Sequence, residues 1–350
     1  MGTVPLTHCQ AYATIKQGVS RTLYLMMPNT SVRREPKKEE IMKLFNLRLL
    51  LVLSLLVAFG SVGAVWAEPA SETPAVNLTT EQWTGHSFTF LALPADKQSA
   101  GYEIFPVDKA NKGFAGDRSV RIPYAQHAGK NVTVTEVIPY PAGPNLQEFM
   151  VYMKVDETGE KLVGRTMRGQ LEGLVLTADL TNARQQFLGK IIYPKFRELA
   201  GLYTPGSEEI PKSVSTSIGG AATVVDVYAG NQSDEPIWLV VSVNGEKAIL
   251  PIAYSWTNIP SPSWTETAPW KEALFTEDPR PSLGWSHSLW YQIENGNVGA
   301  GMTKAQVLLS WGKPVHKAED DAVWMYDNKK LNFNGDVLQS IELLADGATQ

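Results

Sequence analysis

The run Thr223-Val224-Val225-Asp226-Val227 is followed, after a polar loop, by Ile237-Trp238-Leu239-Val240-Val241-Ser242-Val243, then Asn244-Gly245-Glu246-Lys247, then Ala248-Ile249-Leu250-Pro251-Ile252. Residues 223–227 alternate with a period of two, which marks a strand with one buried face. Asn244-Gly245 is a strong hairpin signal, because a type I′ turn needs φ > 0 at both central residues. The stretch therefore reads as strand, loop, strand, tight turn, strand: an antiparallel meander entered from Gly219-Gly220.

The same order occurs earlier in the chain. Ala128-Gly129-Lys130 leads into Thr133-Val134-Thr135-Glu136-Val137, and a Pro/Gly-rich loop follows. Then come Phe149-Met150-Val151-Tyr152-Met153-Lys154-Val155, a turn at Gly159-Glu160-Lys161, and Leu162-Val163-Gly164-Arg165. Gly-Glu-Lys stands at the turn of both copies. Trp83-Thr84-Gly85, ahead of the alternating Ser87-Phe88-Thr89-Phe90-Leu91, is a candidate opening of an earlier and more divergent copy. Modules of this size with short strands and Gly-rich entries suggest small barrels, and their layout resembles tandem bacterial SH3-like domains, which are usually binding modules. One larger sandwich over residues 83–258 is the alternative. Between the copies, Leu180, Ala183, Arg184, Phe187 and Leu188 recur at helical spacing, with Asp179 or Thr181 as N-cap and Gly189-Lys190 as the stop.

Toward the C-terminus, Leu289, Trp290 and Ile293 form one face of a helix that ends at Asn295-Gly296. Thr303-x-x-Gln306 is a capping box before Val307, Leu308 and Trp311. Gly312 takes the position after the helix, and Pro314 prevents its continuation. Three short strands follow, at 323–326, 330–333 and 337–341, the last two joined by Asn334-Gly335. Two helices on a three-stranded antiparallel sheet is the expected result, since neither layer buries its apolar face alone. Gly301-Met302-Thr303, Gly312-Lys313-Pro314, Trp324-Met325-Tyr326 and Phe333-Asn334-Gly335 resemble the motifs of the SmpA/OmlA (BamE) type of bacterial envelope module, over about residues 285–343. That resemblance implies a non-catalytic module that binds other proteins. This chain lacks the family's lipid-bearing cysteine and carries the module behind other domains. The expected fold class is thus mainly β with an α+β C-terminal module: tandem small SH3-like β-barrels, then a two-helix, three-stranded antiparallel sheet domain.

Residues 42–67 have the three parts of a secretory signal: basic Lys43 and Arg48, an apolar run from Leu49 to Phe59, and Val65-Trp66-Ala67 before the cut, which leaves Glu68 as the mature N-terminus. An uncleaved inner-membrane anchor facing the periplasm is the alternative. A signal belongs at a chain's start, and Lys38-Glu39-Glu40 can be encoded by a purine-rich ribosome-binding sequence. Residues 1–41 are accordingly read as translated leader DNA ahead of a true start at Met42, the alternative being a disordered extension. Residues 68–82, rich in Pro, Ala, Thr and Glu, read as a flexible linker. The remaining divisions are a β module at 83–127, an SH3-like module with a trailing helix at 128–200, a second at 201–258, a Trp/Pro-rich linker at 259–284 and the C-terminal module at 285–350.

With 350 residues and 43% hydrophobic content, the chain suffices for two or three domains. Eight of the 31 basic and three of the 36 acidic residues lie through Ala67, which leaves 23 against 33 and a net charge of −10 beyond it. That balance argues against nucleic acid as a partner. The single cysteine, Cys9, precedes the signal, so the mature chain has no intrachain disulfide or thiolate chemistry. His86, His127, His287 and His316 are too scattered for zinc, and no metal or cofactor is expected.

The candidate contact residues are Trp256, Trp264 and Trp270, crowded with Tyr254, Trp285 and Trp290 among Pro260, Pro262 and Pro269. They read either as an aromatic platform for a glycan strand or Pro-rich peptide, or as packing. Asp156, Glu157 and Glu160, and the pair Glu208-Glu209, fall in turns where solvated charge is the simpler reading. His127 reads as a strand-entry residue. There is no G-x-S-x-G elbow near Ser213-Val214-Ser215-Thr216-Ser217, and no glycine loop opens a helix. The expectation is a non-enzymatic, soluble periplasmic binding or scaffold protein whose partners are envelope proteins or peptidoglycan. The competing expectation is a glycan-binding protein or cell-wall enzyme using the tryptophan-rich segment.

Overall fold

Short alternating runs punctuated by glycine and proline place most of the ordered chain in antiparallel strands, with few helices. The computed structural model describes residues 76–143, 146–260, 263–318 and 320–344. The 1–41 extension, the signal at 42–67 and most of the 68–82 linker lie outside the described residues. Among the described residues no helix is long and apolar enough to cross a membrane.

Six strands build the first sheet: β1 (Ser87–Phe90), β2 (Ile104–Pro106), β3 (Asn131–Gly143), β4 (Leu146–Val155), β5 (Lys161–Arg165) and β6 (Leu174–Leu176). Helix α1 (Thr177–Phe187) then leads into the second sheet. That sheet contains β7 (Ile191–Pro194), β8 (Glu198–Gly201), β9 (Val214–Ser215), β10 (Ala222–Ala229), β11 (Ile237–Val243), β12 (Glu246–Ile252) and β13 (Leu274–Phe275). The spatial orders are β6-β1-β3-β4-β5-β2 and β13-β7-β10-β11-β12-β8-β9. Apart from β9, which extends the second sheet beyond β8, they are the same order. In each, a three-strand meander is flanked by the two strands that precede it, a last strand returns beside the first, and neighbours are antiparallel.

The correspondence reaches single hydrogen bonds. Gly85 N–H donates to Val134 O at 2.8 Å and Gly189 N–H to Val224 O at 2.9 Å, and both glycines have positive φ, +86° and +76°. The ladder then slips by one residue in each copy, between Val134 and Glu136 and between Val224 and Asp226. Thr135 and Val225 are the extra residues of two equivalent β-bulges. Asn244 and Gly245 both take positive φ at the β11–β12 turn, as the turn type requires.

These pairings move the expected boundaries. Residues 83–127 are not a module of their own, because β1 and β2 are the flanking strands of the first sheet. Likewise β7 and β8 belong to the second sheet, and β13, inside the expected 259–284 linker, closes its edge against β7. A meander alone leaves edges unpaired, and the flanking strands cover them. The first core gathers Trp83, Phe88, Tyr102, Val151 and Leu162. The second gathers Val224, Leu239, Val241 and Leu250, and it also takes in Leu91 and Val175 from the first sheet and Ala183 and Phe187 from α1. Asp179 and Thr181 do not cap α1. The N-cap is Leu176, and Asp179 lies in the first turn, buried.

The C-terminal part has helices α2 (His287–Glu294) and α3 (Lys304–Trp311) against a sheet of β14 (His316–Lys317), β15 (Val323–Tyr326), β16 (Lys329–Asn334) and β17 (Val337–Leu343) in that order. The sheet has four strands where three were expected, because His316 and Lys317 pair with Met325 and Trp324 once Pro314 has turned the chain. Trp290, Ile293, Val307, Trp324 and Leu331 form the core between the layers, joined by Ile218 from the second sheet's loop.

Candidate functional site

Beyond β12 the chain reads Tyr254-Ser255-Trp256-Thr257-Asn258-Ile259, and all six residues are buried, although three carry short polar side chains. Burial of such groups is tolerated only when each finds a partner. Asn258, held at φ +61°, accepts from Leu171 N–H at 2.7 Å and donates to the carbonyls of Leu171 and Leu174, both at 2.9 Å. It thereby binds the approach to β6 of the first sheet. The Tyr254 hydroxyl donates to Gln186 Oε1 on α1 at 2.8 Å. Ser255 Oγ donates to Asp179 Oδ2 at 2.6 Å and accepts from Thr257 N–H at 3.1 Å. Thr257 Oγ1 accepts from Leu78 N–H at 2.9 Å, and Trp256 N–H donates to Asn77 Oδ1 at 3.0 Å. Residues 254–259 form a strap that ties the start of the described chain, the first sheet and α1 together.

Asp179 is the electrostatic centre of this strap. It is only 4% exposed. Burial pushes its carboxyl up to about 7, against a smaller downward pull from its hydrogen bonds with Ser255.

The three tryptophans that read either as a contact platform or as packing are taken up in packing. Trp256 is buried and donates its indole N–H to Thr267 O at 2.9 Å, packing with Ala253 and Ile259. Trp264, half-buried against the same cluster, donates to Ile259 O at 2.9 Å. Trp270 belongs to the second sheet's core and meets Phe187 edge-on, ring centroids 5.3 Å apart. Their rings fill gaps between elements, so a flat ligand has no row of exposed faces to stack on.

The C-terminal motif residues have structural tasks. Gly301, at φ +90°, donates to Leu338 O at 2.8 Å, and Leu338 N–H donates to Met302 O at the same distance. Thr303 and Gln306 close the capping box, with Thr303 N–H to Gln306 Oε1 at 2.9 Å and Gln306 N–H to Thr303 Oγ1 at 3.3 Å. Trp324 is 1% exposed, contacts Phe333 at 4.8 Å and donates to Asp321 Oδ1 at 2.6 Å. Trp311 packs at the edge of this core, not inside it. It is half-buried at the end of α3, donates to Gly296 O at 2.7 Å and meets Tyr326 edge-on. The Tyr326 hydroxyl donates to Gly312 O at 2.8 Å, and the half-buried Pro314 follows that turn.

The acidic candidates of the first sheet each have a separate partner. Asp156 accepts from the Thr133 hydroxyl at 2.7 Å, Glu157 lies 3.5 Å from Lys130 Nζ, and Glu160 lies 3.1 Å from His127 Nε2. His127 is buried, and its Nδ1 is 2.9 Å from Pro123 O, so it anchors a turn as well as opening β3. Glu208 and Glu209 are exposed on the rim of an open cleft of about 480 Å³, which Asp96, Tyr203 and Asn231 also line. Among the described residues no three His, Cys, Asp or Glu side chains come together as metal ligands. Sequence reading missed Asp179 as a buried acid. Its only signal was an Asp at helical spacing, which also suits a cap. The chain matches no protein-family model, and no curated protein and no solved structure is significantly similar to it.

Proposed function

We propose that the chain is a non-enzymatic periplasmic binding or scaffold protein of the bacterial cell envelope, exported by the signal at 42–67 and acting through protein–protein contacts. The C-terminal arrangement carries this reading. Gly301-Met302-Thr303 opens a capped helix, Gly312-x-Pro314 ends it, and Trp324-x-Tyr326 lies on the sheet beneath, the sequence of features by which the chain resembles SmpA/OmlA (BamE)-type modules. The two sheets of matching strand order support the companion reading of tandem SH3-like binding modules. Burial of Trp256 and Trp270 weighs against a glycan platform in the tryptophan-rich segment.

The test places a photo-crosslinking amino acid at Tyr291, which is 64% exposed on α2, in chain expressed with its leader. Adducts with envelope proteins, together with no saturable co-sedimentation with purified peptidoglycan, are the expected outcome. Saturable sedimentation without protein adducts would replace this reading with the glycan-binding one.

A further inference from the structure

The strap meets one group whose charge the fold does not accommodate. Asp179 sits on the first turn of α1 beneath residues 254–259, with Ser255 as its hydrogen-bond donor. The titratable and charged side chains on the elements around it are engaged elsewhere. Arg184, further along α1, donates to the Val227 carbonyl of β10. Asp226 of β10 accepts from Val227 N–H at 2.7 Å, and Tyr254 of the strap donates to Gln186. Among the described residues no cation offsets the carboxylate. A buried carboxylate without a counter-charge is costly, so the group stays protonated while covered, and once ionised it is relieved by exposure to water.

Ser255, the hydrogen-bond partner of Asp179, is also tied into what holds the start of the described chain. From Ser255 Oγ the hydrogen bonds run to Thr257 N–H, from Thr257 Oγ1 to Leu78 N–H, and from Trp256 N–H to Asn77 Oδ1. Residues 76–78 contact the strap through these bonds and through Thr257 Oγ1 to Val76 O at 3.4 Å. We propose that Asp179 and Ser255 form a proton-operated latch: protonated Asp179 keeps the strap 254–259 closed over α1 with residues 76–78 docked on it, and loss of the proton to solvent opens the strap and frees that segment. Neutral to alkaline surroundings thus loosen the N-terminal attachment of the body, and mild acid tightens it. The elevated carboxyl, about 7, puts the change within physiological range. The proposal holds whichever partner the protein binds.

Hydrogen–deuterium exchange on the full chain, corrected for the intrinsic pH dependence of amide exchange, tests it. An open state sheds a proton that the closed state keeps, so the opening equilibrium at 76–78 and 254–259 should rise by about tenfold per pH unit between about pH 5 and 7, then level off. Exchange in β11 should not follow. Asp179→Asn should hold both segments at the slow, acid-like rate throughout. If that variant does not fold, Ser255→Ala carries the test: without the hydroxyl that favours the carboxylate, the levelling-off should move to higher pH. Corrected exchange independent of pH in the wild type would overturn the latch. So would a pH dependence retained in Asp179→Asn, or an unshifted one in Ser255→Ala.

Discussion

The guanidinium of Arg197, on the loop between β7 and β8, donates to the carbonyl of Ser310 in the last turn of α3 at 2.9 Å. The same side chain donates through Nε to Glu294 O at 2.7 Å and through Nη2 to Ile293 O, at the end of α2. Helix ends leave carbonyls without internal partners and carry partial negative charge. One cation from the second sheet therefore satisfies the ends of both helices and docks the C-terminal layers onto it.

Arg197→Ala should remove these charge-assisted bonds and leave part-buried carbonyls unpaired. The expected loss is about 2–4 kcal/mol, and Arg197→Lys should recover only part, because an ammonium lacks the planar fork. Urea denaturation of the three proteins gives the order. Equal midpoints would show that the helix ends are satisfied by water.

Stability should also depend on pH through Asp179. Its carboxyl is protonated up to about 7 in the folded chain, against an ordinary value of 3.8. Below the ordinary value both folded and unfolded chains hold the proton, and its contribution is complete. As pH rises the unfolded chain releases the proton first, so stability falls until the folded carboxyl ionises near neutrality. Measured against Asp179→Asn, which cancels the other groups, wild type should lose on the order of 1–4 kcal/mol across that window. A constant difference between the two proteins would contradict this.

Trp324 and Trp311 should separate under substitution. Trp324→Ala empties a fully buried site and should cost about 3–5 kcal/mol. Trp311→Ala removes a half-buried ring and one hydrogen bond, and should cost roughly half as much. Thermal unfolding of the full chain reads both, and a larger shift for Trp311 would mean that the edge contact with Tyr326 outweighs core burial.

Gly85 and Gly189 occupy matching places in the two sheets, and a Cβ at either would meet nothing within 4 Å. Only the left-handed backbone resists substitution. Gly85→Ala and Gly189→Ala should therefore destabilise by similar amounts, about 1–2 kcal/mol each. A large difference in denaturation midpoint would show that the matching hydrogen bonds do not reflect matching roles.

Local pattern determined much of this protein from its sequence alone. Alternation, the Asn244-Gly245 turn, the capping box at Thr303 and Gln306, and the Gly312 and Pro314 stop all act within a few residues. The two meanders and the C-terminal helices were legible for that reason. The signal-like residues 42–67 are likewise a local composition pattern. Tertiary structure alone decided which distant strands close each meander: β1 and β6 pair between Phe88 and Leu176, and β7 takes its partner from Leu274. Such pairings satisfy edge hydrogen bonds that no local propensity encodes. The same holds for the tryptophans, whose burial depends on gaps between elements. It holds most of all for Asp179. At the helix start it suits a cap as well as a core. It becomes a buried acid only in the folded chain, where Ser255, 76 residues onward, is brought to it, and desolvation is a property of what surrounds a group, not of its neighbours in sequence.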